Sequence, residues 1–214
     1  MTDSASETLI QLGRLVEVMH TLRLKCPWDA QQTHESLMTY LIEETCEVIE
    51  AVENGSDEEL VEELGDLLLQ VFFHAEIASE SEAFTLADVA QQVSDKLIAR
   101  HPYIYSAASV PDDVWESWEI KKKAEKQRES AVDGIPDTLS ALARANKAVT
   151  RIRTHRVDVD LADEPIVAEE VGQAILDIVA RAQAQHIDPE QALRYAVRAL
   201  ETAAREAEQQ QLRS

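Results

Sequence analysis

Two acidic turns hold the residues of this chain best suited to chemistry. Glu44 and Glu47 stand three apart in LIEETCEV, and Glu63 and Asp66 stand three apart in VEELGDLLL. Residues three apart share one face of a helix. Two such helices, folded back on each other across Asn54-Gly55-Ser56, would pool four carboxylates. Four like charges at close range raise each other's pKa unless a cation neutralises them. An all-oxygen set suits a hard cation, Mg²⁺ with Mn²⁺ as a substitute, rather than zinc. A carboxylate-bridged di-iron centre would need two Glu-x-x-His turns, and only Glu17-His20 has that form.

The elements that must position these acids read as helices. Leu9, Leu12, Val16 and Met19 predict an amphipathic helix over residues 5–23. Pro27 ends it, and Asp29 with Gln32 is expected to cap the next helix. That helix carries Leu37, Leu41, Ile42, Val48, Ile49 and Val52 on one arc, with Glu44 and Glu47 beside the arc and Glu43 and Glu50 opposite it. Ser56 with Glu59 caps a helix over 57–79 that is apolar almost all round, so it is expected to be central and buried. Its polar stripe is Glu59, Glu63, Asp66 and Gln70, and Gly65 within it predicts close approach of another backbone. Further helices are expected over 86–100, from Asp112 through the WESWEIKKK run, and over 138–153, 166–185 and 190–211, with HPYIYSAASVPDD as a loop. No strand pattern appears, which makes the fold all-α, a helix bundle.

Composition narrows the function classes. The chain has 214 residues with 5 Gly, 6 Pro and 5% aromatics, a balance that favours helix. Its formal net charge of -21 argues against binding DNA or RNA duplexes, which wants a basic face. Cys26 and Cys46 form no CxxC pair, consistent with reduced thiols in a cytoplasmic protein. No membrane span and no signal peptide are expected. His34, His74 and His101 show no ligand spacing and read as structural or surface residues. No P-loop, GxSxG or Cys-His arrangement points to another catalytic class.

In order along the chain, LKCPWDAQQTHESLMTYLIEETCEVIEAV, EELVEELGDLLLQVFFHAEIA, VSDKLIARHPYIY, WEIKKK and DGIPDTLSALARANKAVTRI resemble the MazG family of nucleoside triphosphate pyrophosphohydrolases. The resemblance implies an all-α catalytic unit completed by homodimerisation. It implies Mg²⁺-dependent cleavage of a nucleoside triphosphate to monophosphate and pyrophosphate. The family's metal ligands fall on Glu44, Glu47, Glu63 and Asp66. Its Lys-x-x-x-Arg phosphate pair falls on Lys96 and Arg100. A Trp for the base and a Lys for phosphate fall on Trp118 and Lys122, with Lys121 and Lys123 as near alternatives. Trp118 has packing against Trp115 as its other reading, and Trp28 in CPWD reads as packing. Glu43 and Glu62 are candidates to take a proton from water, although both project away from the inferred ligand face.

Domains are expected over residues 1–130 (catalytic), 131–153 (connecting) and 154–214. In the last, AEEVGQAILDIV looks like a worn ELGDLLLQVF turn with Gln173 where an acid should stand, so this part reads as a degenerate second copy. Two other functions fit the same features: an all-α pyrophosphatase of the dUTP or dCTP type, and a non-catalytic helical regulatory module with a metal site.

Overall fold

Local capping chemistry sets the hairpin that carries the acids. The computed structural model describes residues 2–106 and 108–213, and all regular structure among them is helical. Ser56 accepts from the Glu59 backbone N–H while the Glu59 carboxylate accepts from that of Ser56, a complete capping box. It starts α3 (Asp57–Glu80) immediately after α2 (Met38–Asn54). The Gly55 N–H donates to Ala51 O at 3.0 Å. A Cβ on Gly55 would stand 2.8 Å from the Ala51 Cα and carbonyl oxygen, so only glycine closes this turn.

The chain divides into two compact units, Met1–Leu97 and Ile98–Ser214. In the first, α1 (Thr2–Lys25) packs on α3 through Met19, Leu37, Phe72 and Phe73, with Leu86 of α4 (Leu86–Arg100) against them. Arg23 fastens the connection between α1 and α2. Its Nε and Nη2 donate to the Glu80 carboxylate at 2.7 and 2.6 Å, and its Nη1 donates to the Gln32 carbonyl at 3.1 Å and to that of Asp29. Asp29 therefore lies in a short 3-10 turn (Asp29–Gln31) and caps no helix. The Gln32 amide donates to Trp28 O at 3.0 Å, and α2 begins at Met38. Trp28 stands edge-on to Tyr40 and Phe73 at 5.8 and 6.4 Å.

The apolar girth of α3 does not make it buried. Within this chain Val61 is 72% exposed and Leu64 48%, and Ile42, Ile49 and Val52 of α2 are exposed as well. Gly65 faces open space with no close backbone neighbour among the described residues. One chain supplies too little surface to cover a helix that is apolar on most sides.

The second unit contains α5 (Pro102–Tyr105), a short helix inside the expected loop, and α6 (Val114–Glu125), capped by Asp113 rather than Asp112. It continues with α7 (Ala141–Thr154), α8 (Ala168–Ala184) and α9 (Pro189–Gln211). Its core is built from Ala131, Val132, Ile135, Ala148, Ile152, Val157, Val197 and Ala204. Gly134, at φ +68°, takes a left-handed conformation beside the Arg128 guanidinium. Arg144 of α7 makes a two-point contact with Glu201 of α9, Nε to Oε1 at 2.8 Å and Nη2 to Oε2 at 2.9 Å, and also holds Asp137. Those contacts push the arginine pKa up and that of Asp137 down. Arg194 donates to the carbonyls of Asp137 and Leu139 at 2.9 and 3.0 Å. α8 packs along α9 and has no buried residue.

Glu201 is 3% exposed, so deleting its partner strands a charge. Arg144→Met should cost about 3 kcal/mol in urea unfolding, and the double variant with Glu201→Met should recover most of it. Equal losses in the single and double variants would contradict this account.

A second expectation concerns His34, before α2, and His74 on α3. Their rings stack at 5.0 Å with Nδ1 atoms 2.7 Å apart. Burial, then the neighbouring His34, lowers the His74 pKa. A histidine of depressed native pKa adds stability above its unfolded pKa and loses it as pH falls through the native one. Wild-type melting temperature should therefore fall between pH 6.5 and 5 by more than that of His74→Gln.

Candidate functional site

The hairpin of α2 and α3 brings three of the four predicted acids together. Single carboxylate oxygens of Glu44, Glu63 and Asp66 all lie within 4.8 Å of one another. Glu47 stands close enough to this trio for its charge to repel that of Glu44. Together with Glu63 it lines a cavity of about 260 Å³ that also includes Asn54 and Gly55 of the α2–α3 turn.

The charges are uncompensated. Among the described residues no Lys, Arg or His forms an ion pair with any of these four acids. Partial loss of hydration raises the Glu44 pKa first, followed by repulsion from Asp66 and Glu47. The Glu63 pKa rises for the same reasons, with Glu47, Glu62, Asp66 and Glu59 as the repelling groups. Glu43 and Glu62 are exposed and lie outside the trio. Three convergent carboxylate oxygens, those of Glu44 and Glu63 with raised pKa values, fit a hard divalent cation. No other His, Cys, Asp or Glu set among the described residues closes to this spacing.

The remaining candidates sit on α4 and α6. Lys96 and Arg100 are one helical turn apart on α4, Lys96 half-buried and Arg100 buried. Arg100 donates twice to Glu125 Oε2, at 2.9 and 2.6 Å, and its Cζ lies 5.0 Å from the Trp118 ring centroid. Lys122 Nζ is 4.3 Å from the same centroid and 3.3 Å from Glu119 Oε1. Burial lowers the Lys122 pKa; Glu119 opposes that shift, and Lys147 and Arg151 reinforce it. The neighbouring lysines are engaged elsewhere: Lys121 donates to Arg100 O at 3.5 Å and Lys123 to Glu208 at 3.1 Å. Trp115 and Trp118 stack at 5.5 Å with planes 22° apart, and Trp115 is 58% exposed.

The second unit also holds residues to which the motifs assign no role. A cavity of about 370 Å³ lies between α6 and α7, lined by Trp115, Trp118 and Lys122 on one side and Asn146, Lys147 and Arg151 on the other. Lys147 and Arg151 are four apart, a spacing visible in the sequence. Their approach to α6 was not visible, because it depends on packing between segments distant in the chain.

Comparison with known proteins gives a consistent family. The MazG nucleotide pyrophosphohydrolase domain matches residues 32–105, which contain all four acids, Lys96 and Arg100. The chain is 41% identical over 199 residues to an uncharacterised 26.1 kDa protein of Streptomyces cacaoi, covering 91% of this chain and 81% of that one. It is 37% identical over 184 residues to the nucleoside triphosphate pyrophosphohydrolase of Escherichia coli K12, covering 78% and 70%. It is also 37% identical over 214 residues to the nucleoside triphosphate pyrophosphohydrolase/pyrophosphatase MazG of Thermotoga maritima, covering 90% and 83%. On that coverage, together with an acidic hairpin in the matched segment, the chain belongs to the MazG family of nucleoside triphosphate pyrophosphohydrolases.

Proposed function

We propose that this protein hydrolyses nucleoside triphosphates to nucleoside monophosphate and pyrophosphate, with Mg²⁺ held by Glu44, Glu47, Glu63 and Asp66. The observation that carries the reading is the convergence of Glu44, Glu63 and Asp66 oxygens within 4.8 Å, with no ion pair to any of them among the described residues. Bound there, a divalent cation would offset polyphosphate charge and make water more acidic. The chain's own groups do the rest. Water adds to the α-phosphorus, the bond from that phosphorus to the bridging oxygen breaks, and pyrophosphate departs. Lys96, Arg100 and Lys122 bind phosphate oxygens and stabilise the departing charge. The stacked indoles of Trp115 and Trp118 supply aromatic surface for a base. Glu43 or Glu62, flanking the cluster, takes the proton released by water.

The same reading includes a homodimer. Exposed Ile42, Ile49, Val52, Val61 and Leu64 on α2 and α3 form an apolar surface that a second copy can cover. Each such side chain contributes about 1.5–3 kcal/mol when buried. Residues 154–214 act as a packing element. Gln173 of α8 stands where an acid would be needed, and Glu190, Glu201 and Glu208 of α9 hold the backbone and side chains of the 131–144 segment. Among the described residues no helix is long and apolar enough to cross a membrane.

Incubation with each nucleoside triphosphate and Mg²⁺ should release pyrophosphate and the monophosphate in equal amounts. Release of orthophosphate alone would remove the assignment of α–β cleavage. Glu63→Gln and Asp66→Asn should each lower turnover by at least about a hundredfold while leaving helicity unchanged.

The raised pKa values of Glu44 and Glu63 have a thermal consequence. A carboxyl whose native pKa is raised contributes stability below its unfolded pKa and loses it as pH rises through the native one. Protons also compete with the cation for these oxygens. The melting-temperature increment produced by Mg²⁺ should therefore be larger at pH 7.5 than at pH 5, and Glu63→Gln should shrink it at pH 7.5. Equal increments at both pH values would count against a carboxylate site.

A further inference from the structure

We propose that the cavity between α6 and α7 binds the nucleotide through residues of α7: Lys147 takes phosphate, Asn146 reads the base edge, and Trp115 rather than Trp118 gives the free stacking plane. The proposal rests on the nucleotide reading above and gives roles to residues to which the sequence motifs assign none.

Size and charge come first. A volume of about 370 Å³ is in the range of small-ligand sites. Three cations line it, Lys122, Lys147 and Arg151, against one carboxylate, Glu119. That local excess stands out in a chain of net charge -21. Glu119 is already shared, 3.3 Å from Lys122 Nζ and 3.6 Å from Arg151 Nε. Arg151 is only 2% exposed, yet its Nε has no hydrogen-bond acceptor among the described residues. Its Nη1 is engaged with the carbonyls of Asp133 and Ala131 at 2.9 and 3.4 Å. A buried guanidinium N–H without an acceptor, next to two lysines, is the environment an anion relieves.

The stacking assignment follows from occupancy. The Trp118 ring already meets Trp115 at 5.5 Å, Lys122 at 4.3 Å and Arg100 at 5.0 Å. Trp115 lines the same cavity and is more than half exposed, so it has aromatic surface left for a base. A tryptophan plane accepts any base, so preference must come from polar groups. Asn146 carries a donor and an acceptor on one amide, which can match a base edge. Neither the Asn146 amide nor the Lys147 ammonium has a hydrogen-bond or ion-pair partner among the described residues.

The test uses the full chain with tryptophan fluorescence as the readout. Each of the four common nucleoside triphosphates is titrated in EDTA at low salt, where neither metal nor turnover contributes. Wild type should be quenched saturably. Lys147→Ala should weaken binding of every triphosphate by about fivefold. Asn146→Ala should change the affinity ratio between bases by about the same factor and leave inorganic triphosphate competition unchanged. With Mg²⁺, Lys147→Ala should raise KM and leave kcat within about twofold. Circular dichroism and melting must match wild type in both variants, and Lys147→Arg should restore affinity. Absent quenching of wild type, or wild-type affinities in both variants, overturns the proposal even if pyrophosphate is released. Loss of affinity in Lys147→Ala without any wild-type turnover upholds the pocket and removes the reaction instead.

Discussion

Crowding of like charge on the α2–α3 hairpin is the constraint on which the functional reading depends. Glu44, Glu63 and Asp66 place oxygens within 4.8 Å of one another, and Glu47 presses on the edge of the set. Such a set repels itself in any protein that leaves it bare. The hairpin tolerates it because the turn is fixed independently, by the Ser56–Glu59 capping box and by a glycine that cannot be replaced without backbone collision. Rigid local geometry holds the acids close, and a divalent cation would turn the repulsion into attraction.

The second unit follows the opposite electrostatic arrangement. Buried arginines, Arg144 and Arg151, organise it from within, one through Glu201 and Asp137 and the other through backbone carbonyls. Cations gather at the α6–α7 cavity while the chain as a whole is strongly acidic. Diffuse negative charge disfavours nonspecific polyanions, and the small basic recess is the local exception to it.

Much of this was legible in the sequence because it is local. Ser56 with Glu59 starts α3 by bonds that span three residues. Three-residue spacing likewise placed each acid pair on one face, and the glycine turn folded the pairs together. What failed was long-range. Asp29 and Gln32 have capping chemistry, but Arg23, reaching across from α1, holds both of their carbonyls in a different turn. His34 and His74 have no motif between them and meet only because the α1–α2 connection lies on α3. The apolar girth of α3 predicts burial, yet periodicity reports the need for cover and not whether one chain can provide it. Asn146 and Lys147 were silent for a similar reason: packing of α7 on α6 gives them their meaning.

Arg23 has a reach out of proportion to its size. One guanidinium joins the last turn of α1, two carbonyls of the following connection and the final turn of α3. Cα atoms far apart in sequence thus share a single donor group, and none of these segments can detach alone without stranding it. The carboxyl end of α3 and the Asp29–Gln32 turn therefore belong to one cooperative opening unit, and their amide protons should exchange with solvent in concert.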